Sequence, residues 1–257
     1  MAADIPAVTE SDVKNLTEWI RGTVRGTGCK GVVLGLSGGI DSAVVAKLCA
    51  DALGGENVLC VFMPSRVTPA EDYMITSDMC STWDMEYRVF DVQPAVESLS
   101  AILATSTDTP LDKGNIAARC RMIVLYNLAK KYGKVVMGTS NESEISIGYF
   151  TKFGDGACDI SPLSGLYKTQ IRQIARMIGV PEDVILRPPS AGLWEGQTDE
   201  EEMGITYDDL DPVLYSMKNG YSDAETAERT GVPLKKVKSV RDKVKRSEHK
   251  RVPPLCP

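Results

Sequence analysis

Val32-Val33-Leu34-Gly35-Leu36-Ser37-Gly38-Gly39-Ile40-Asp41-Ser42 is an apolar run that breaks on glycines and opens into Ser42-Ala43-Val44-Val45-Ala46-Lys47-Leu48, whose apolar positions recur three and four apart. The pattern predicts strand, glycine turn, helix. Such a turn lets backbone N–H groups converge on an anion with no Cβ in the way, and the helix N-terminus adds about half a positive charge. Ser37 and Ser42 supply hydroxyls beside those amides. Asp41 is the unusual member, because a carboxylate repels phosphate unless a divalent cation lies between them; it is read as a metal ligand. No Lys follows the glycines, so this is not the GxxxxGK[ST] phosphate loop, and the spacing is not GxGxxG. A plain βα turn with a Ser or Asp cap is the alternative reading of the same residues.

Working outward, further strands are predicted at 57–63, 87–90 and 134–137, and helices at 9–25, 42–53, 69–83, 115–132 and 168–178. Alternating β and α with crossover-length spacers argues an α/β fold, a doubly wound parallel sheet with helices on both faces. Ligands of such sheets bind beyond the carboxyl ends of the strands. The segments to inspect are therefore Pro64-Ser65-Arg66, Gly138-Thr139-Ser140-Asn141-Glu142-Ser143-Glu144, and the aromatic, glycine-rich run from Tyr149 to Asp159.

Composition bounds the rest. The 257 residues, 43% hydrophobic and 25% charged, suit one main domain, and no apolar run approaches the ~20 residues of a membrane span. The first residues lack the pattern of a secretory signal, so a cytoplasmic protein is expected. Seven cysteines, Cys29, Cys49, Cys60, Cys80, Cys120, Cys158 and Cys256, are scattered with no CxxC, which fits a reducing compartment. His249 is the only histidine, which excludes a His-based metal cluster and disfavours a Ser–His or Cys–His nucleophile.

Charge is unevenly placed. Between Pro188 and Asp211 there is no Lys or Arg, while Glu195, Asp199, Glu200, Glu201, Glu202, Asp208, Asp209 and Asp211 crowd the stretch, read as a mobile acidic loop able to close over a site. From Lys235 to Arg251 nine cations face Asp242 and Glu248, and with Asp223 to Gly231 the tail reads as helix, turn and second helix. Nucleic acid is not the favoured partner, because the whole chain carries −6. The expected organisation is a single domain, 1–257, with an N-terminal helix (1–28), an α/β core (29–187), the acidic loop (188–211) and C-terminal helices with a basic tail (212–257).

The segment Ser37-Gly38-Gly39-Ile40-Asp41-Ser42 resembles the SGGxDS pyrophosphate loop of N-type ATP pyrophosphatases, whose fold is adenine nucleotide alpha hydrolase-like. Gly114-Asn115-Ile116-Ala117-Ala118-Arg119-Cys120-Arg121-Met122, then Gly138 to Glu144, then Phe150 to Gly156, in that order, resemble ammonia-dependent NAD synthetase. The resemblance runs from about residue 30 through Gln197 and resumes at His249-Lys250. It implies a ligase: ATP adenylates the nicotinate carboxylate of deamido-NAD, pyrophosphate leaves, and ammonia displaces AMP to complete NAD.

On that resemblance Gly35, Leu36, Ser37, Gly38, Gly39, Ile40, Asp41 and Ser42, with Thr139, Lys168 and Ser190, bind ATP. Asp41 and Glu144 hold Mg²⁺. Arg119, Lys152, Asp159, His249 and Lys250 bind deamido-NAD, and Asp41, Lys168 and Asp159 are the expected catalytic residues. Arg119 and Arg121 lie about 200° apart around a predicted helix, so the resemblance selects Arg119 and leaves Arg121 as a surface or interface charge. A homodimer is also implied. The alternatives are another ATP pyrophosphatase, such as a GMP synthetase synthetase domain or a thiolation enzyme, which usually uses paired cysteines. Glutamine-dependent NAD synthesis requires an additional amidotransferase domain. From a different class, the basic tail suggests a nucleic-acid module with a strongly salt-dependent affinity.

Overall fold

The computed structural model describes residues 5–103, 109–190, 192, 194 and 196–253. Glu195 and Cys256, both named above, lie outside the described residues.

Helix α1 (Glu10–Gly26) starts on a capping box in which Thr9 and Asp12 satisfy each other's amides. The core then alternates: β1 (Val32–Gly35), α2 (Ile40–Leu53), β2 (Val58–Phe62), α3 (Ala70–Thr82), β3 (Glu86–Val89), α4 (Gln93–Ile102), α5 (Pro110–Tyr132) and β4 (Val135–Val136). The strands form one parallel sheet in the order β3-β2-β1-β4, with Val32 paired to Val58 on one side and to Val135 on the other. The predicted strands and helices of this part are present. Helix α4 had not been anticipated.

Strand alternation explains the two covered faces. Val32 and Leu34 of β1 and Val58 and Cys60 of β2 enter one core with α1 and α2. Val33, Leu59 and Val61 point the other way, into a core with Ala117, Cys120 and Leu128 of α5. Both faces are buried, so the strands read as unbroken apolar runs. Chain order runs outward from β1 to β3, then returns to place β4 on β1's other side. That reversal opens a crevice at the carboxyl ends of β1 and β4, the usual ligand position in such sheets.

Beyond the sheet come α6 (Glu142–Ile147), α7 (Lys168–Met177), α8 (Glu182–Leu186), α9 (Asp199–Met203), α10 (Tyr207–Lys218), α11 (Asp223–Thr230) and α12 (Leu234–Arg246). Met203, Tyr207, Leu210, Val213, Val237 and Val240 build a third core that holds the C-terminal helices on α6. The stretch 188–211, read from sequence as one loop, therefore carries α9 and the start of α10. Six of its acids occupy first helical turns, Asp199 to Glu202 in α9 and Asp208 and Asp209 in α10, where the helix dipole favours negative charge, while Asp211 is buried further along α10. The predicted helix, turn and second helix of the tail are α11, the left-handed Gly231 and α12.

Candidate active site

Strand β1 delivers the chain to Gly35, and Gly39 caps α2 without any side-chain hydrogen bond to the first-turn amides. The intervening turn needs the left-handed φ of +85° at Gly38. Ser42 fixes the loop from within: its hydroxyl donates to the Gly39 carbonyl at 2.9 Å and accepts from the Ser37 amide at 3.2 Å. The glycine turn is thus held open beside a helix N-terminus, as an anion cradle requires.

Asp41, in the first turn of α2, meets residues from two distant elements. Its Oδ1 accepts from Asn141 Nδ2 at 3.0 Å and its Oδ2 from Lys168 Nζ at 2.5 Å. Asn141 is the N-cap of α6, accepting from the Glu144 amide at 3.0 Å, while Glu144 Oε2 accepts from the Asn141 amide at 3.3 Å. The other Glu144 oxygen stands 3.5 Å from the Lys168 ammonium. Lys168 opens α7, a place where the dipole does not favour a cation. It is held there by its backbone: the Lys168 amide donates to Ser143 Oγ at 3.0 Å, Ser143 donates to Asp211 at 2.5 Å, and Asp211 also accepts from the Thr169 amide at 2.8 Å.

The electrostatics follow from burial. Two carboxylates face one ammonium, which leaves an excess negative charge in a dry place. Burial first, and the Asp41 charge second, push the Glu144 carboxyl up to about 8. Burial alone would depress Lys168, but the Asp41 and Glu144 carboxylates outweigh it and hold the ammonium charged. Asp199 lies against the same group: its Oδ2 accepts from the Tyr207 hydroxyl at 3.1 Å, its Oδ1 is buried without a hydrogen-bond partner among the described residues, and burial raises its pKa.

These residues line a cavity of about 730 Å³, within the range of ligand pockets. Gly35, Leu36, Ser37, Gly39, Ile40, Asp41 and Ser42 form part of its wall, and Thr139, Glu144, Lys168, Ser190 and Lys250 complete the portion foreseen from sequence. Gly38 itself does not line the cavity. Arg119, Lys152 and His249 do not line the cavity but are joined to its edge: Arg119 donates to the Lys152 carbonyl at 3.3 Å and Lys152 Nζ to the His249 carbonyl at 2.6 Å. Next in the chain, Lys250 Nζ donates to the Gly148 and Phe150 carbonyls, each at 2.7 Å. A Cβ on Gly148 would stand only 2.1 Å from Ser247 Cβ, so glycine there allows the tail to dock.

Two readings differ from the geometry. Asp159 stands away from the cavity wall, where its Oδ2 accepts from the Val136 amide at 2.8 Å and its Oδ1 from the Tyr126 hydroxyl at 3.2 Å. Its carboxylate is occupied in satisfying the edge of β4. Arg121 is not a surface or interface charge: it lines the cavity, with Nε donating to the Met63 carbonyl at 3.0 Å and Nη2 to Ser65 Oγ at 3.4 Å. The angular separation from Arg119 is real: Arg121 faces the cavity at the end of β2, while Arg119 reaches the Lys152 carbonyl of the 150s loop and does not line the cavity. Asp199, Tyr207 and Arg187 also escaped sequence reading. Of the missed features, the Asn141–Glu144 capping box alone had a local signal, the spacing Asn-x-x-Glu.

Among the described residues, no group of three or more His, Cys, Asp or Glu side chains is placed to cage a metal, and no helix is long and apolar enough to cross a membrane.

Comparison with known proteins gives a consistent result. The family described as NAD synthase matches residues 12–254. The NH(3)-dependent NAD(+) synthetase of Methanocaldococcus jannaschii is 43% identical over 250 residues, covering 96% of each chain. Among solved structures, an NMN synthetase from Francisella tularensis superposes with a TM-score of 0.85 at 36% identity, covering 95% of this chain and 96% of that one. An NH3-dependent NAD synthetase from Campylobacter jejuni gives a TM-score of 0.80 at 28% identity, covering 95% and 97%.

Proposed function

The chain belongs to the NAD synthase family, and on that premise we propose that it converts deamido-NAD to NAD with ATP and ammonia, through an adenylated nicotinate, releasing AMP and pyrophosphate. The observation that carries the reading is the Lys168 ammonium, 2.5 Å from Asp41 at the glycine loop and 3.5 Å from Glu144 in the first turn of α6. It sets a fixed cation and two carboxylates at the mouth of an anion cradle, which is what bringing a carboxylate up to a polyphosphate demands.

In this reading the amides of the loop and the Ser37 and Ser42 hydroxyls bind the phosphates. Lys168 supplies positive charge where the bond between the α and β phosphates breaks. The donor set fits Mg²⁺: Asp41 and Glu144 offer hard oxygens, and the crowding that pushes the Glu144 carboxyl up to about 8 is what a further cation would relieve, while among the described residues no group of three or more acids forms a complete cage, which leaves room for water and phosphate ligands. Asp41 and Glu144 would hold it, and the ion would neutralise phosphate charge. Asp199 offers its orphan carboxylate oxygen, beside Lys168, to the N–H of the incoming nitrogen nucleophile. Arg119, Lys152, His249 and Lys250 gather at one edge of the cavity, where they suit the phosphates and carboxylate of the dinucleotide. Asp159 acts on that edge only by positioning β4.

Leu111 and Ile123 of α5, and Ile102 and Leu103 at the end of α4, are exposed apolar side chains that a homodimer contact would cover. The protein would act in the cytoplasm. The experiment is to incubate the protein with ATP, Mg²⁺ and deamido-NAD, adding ammonium or glutamine, and to follow NAD. The likeness to an NMN synthetase supports one second reading, in which nicotinate mononucleotide is the acid amidated. Running both acids in parallel decides between them, and no amide from either acid with ammonium would refute the proposal.

A further inference from the structure

Arg187 is a cation that neither the sequence motifs nor the reaction scheme uses. It follows α8, immediately before Pro188-Pro189, and its side chain enters the cavity. There the guanidinium grips two carboxylates from the first turn of α3, Nη1 donating to Asp72 and Nη2 to Glu71. Asp72 is buried and also lines the cavity.

The location of this trio is what matters. A Cβ on Gly38, at the apex of the glycine loop, would stand 3.3 Å from Asp72 Oδ1 and 3.4 Å from Arg187 Nη1. The guanidinium and carboxylate therefore lie in contact with the loop that cradles phosphate, and the absent side chain at Gly38 leaves nothing between. Two carboxylates so near a polyphosphate oppose its binding. One guanidinium shared between them neutralises half of that charge and offers a planar donor fork that matches phosphate oxygens.

We propose that Arg187 is a further polyphosphate-binding residue, which Glu71 and Asp72 hold beside Gly38 until nucleotide arrives. Phosphate oxygens then take over part of the donor fork from Asp72. Ser190 and Trp194 also line the cavity, so an arginine anchored on phosphate shares the nucleotide site with them. The inference rests on the reading of the loop as an ATP site. A salt bridge that merely ties α8 to α3 would stabilise the fold and leave phosphate affinity alone.

The two roles separate by calorimetry with inorganic pyrophosphate and, independently, deamido-NAD, on the wild-type chain, Arg187→Gln, Arg187→Lys, Asp72→Asn and the Asp72→Asn/Arg187→Gln double variant, each checked for a cooperative melt. Arg187→Gln should weaken pyrophosphate at least tenfold and leave deamido-NAD unchanged, with Arg187→Lys in between. Asp72→Asn, by releasing the guanidinium, should tighten pyrophosphate several-fold, and this gain should vanish in the double variant. Wild-type affinity for pyrophosphate in folded Arg187→Gln, or an equal gain from Asp72→Asn in both backgrounds, overturns the inference. Pyrophosphate binding that depends on Arg187 in a protein that makes no NAD would instead refute the proposed function and leave this inference standing. NAD synthesis with an Arg187-independent pyrophosphate affinity would do the reverse.

Discussion

The Lys168 ammonium lies 2.5 Å from Oδ2 of Asp41, although 127 residues separate the two along the chain. This contact joins the start of α7 to the glycine loop at the start of α2, and Glu144 of α6 closes the group from the third side. Removing one member should therefore act differently according to which charge is left behind.

Lys168→Met leaves Asp41 and Glu144 buried together with no cation, and should cost about 3–5 kcal/mol of stability. Asp41→Asn leaves the Lys168–Glu144 pair and should melt nearer the wild-type chain, yet abolish pyrophosphate release from ATP. Urea unfolding and a pyrophosphate assay on the two variants check both statements; an Asp41→Asn variant that adenylates at the normal rate removes the metal role.

Asp199→Asn should raise the KM for ammonium by tenfold or more and change the KM for ATP little, because the orphan Oδ1 becomes either a weaker acceptor or a donor. Initial rates with varied ammonium at saturating ATP decide it. A proportional loss for both substrates would make Asp199 a part of the fold alone.

Lys152→Ala should weaken deamido-NAD about tenfold, the size of one lost charge-assisted hydrogen bond, and ATP much less. Its ammonium reaches the His249 carbonyl and does not line the cavity wall that the glycine loop forms. Equal losses for the two substrates count against the assignment.

Asp159→Ala should cost stability, about 1–3 kcal/mol for removing the acceptor of the Val136 amide, with kcat close to normal. A kcat loss of a hundredfold in a stably folded variant would return Asp159 to the chemistry.

Burial first, then the Asp159 charge, push the Tyr126 phenol up to about 12, and burial raises Tyr149, Tyr167 and Tyr207 still further. The folded state thus keeps phenol protons that the unfolded chain releases near its ordinary pKa of about 10. The stability from these groups is complete below pH ~10 and is lost as pH rises toward the folded values. Denaturant melts across that range should show a falling midpoint, with a shallower slope in Tyr126→Phe.

Much of the fold was legible because its signals are local. The apolar run Val32 to Leu34 and the helical spacing after Ser42 specify a strand and a helix whatever surrounds them. The acidic stretch misled for a local reason as well: Asp199 to Glu202 look like a solvated loop until Met203 and Tyr207 are seen buried in a third core, which makes those acids first-turn residues. At the site, Asp41, Thr139 and Glu144 were legible from their motifs and Lys168 from the family resemblance, and all reach the cavity.

By itself the sequence determined that a parallel sheet would end in a glycine turn able to hold phosphate, because strand period, glycine conformation and helix spacing are properties of adjacent residues. Only the tertiary structure decided which charges that turn would meet. Lys168 beside Asp41, Arg187 against Gly38 and Arg121 turned inward depend on contacts across many tens of residues, and Asp159 on β4 on one across 23. Such contacts are set by how the three cores pack, and burial, which packing alone creates, gives Glu144 and Asp199 their unusual protonation.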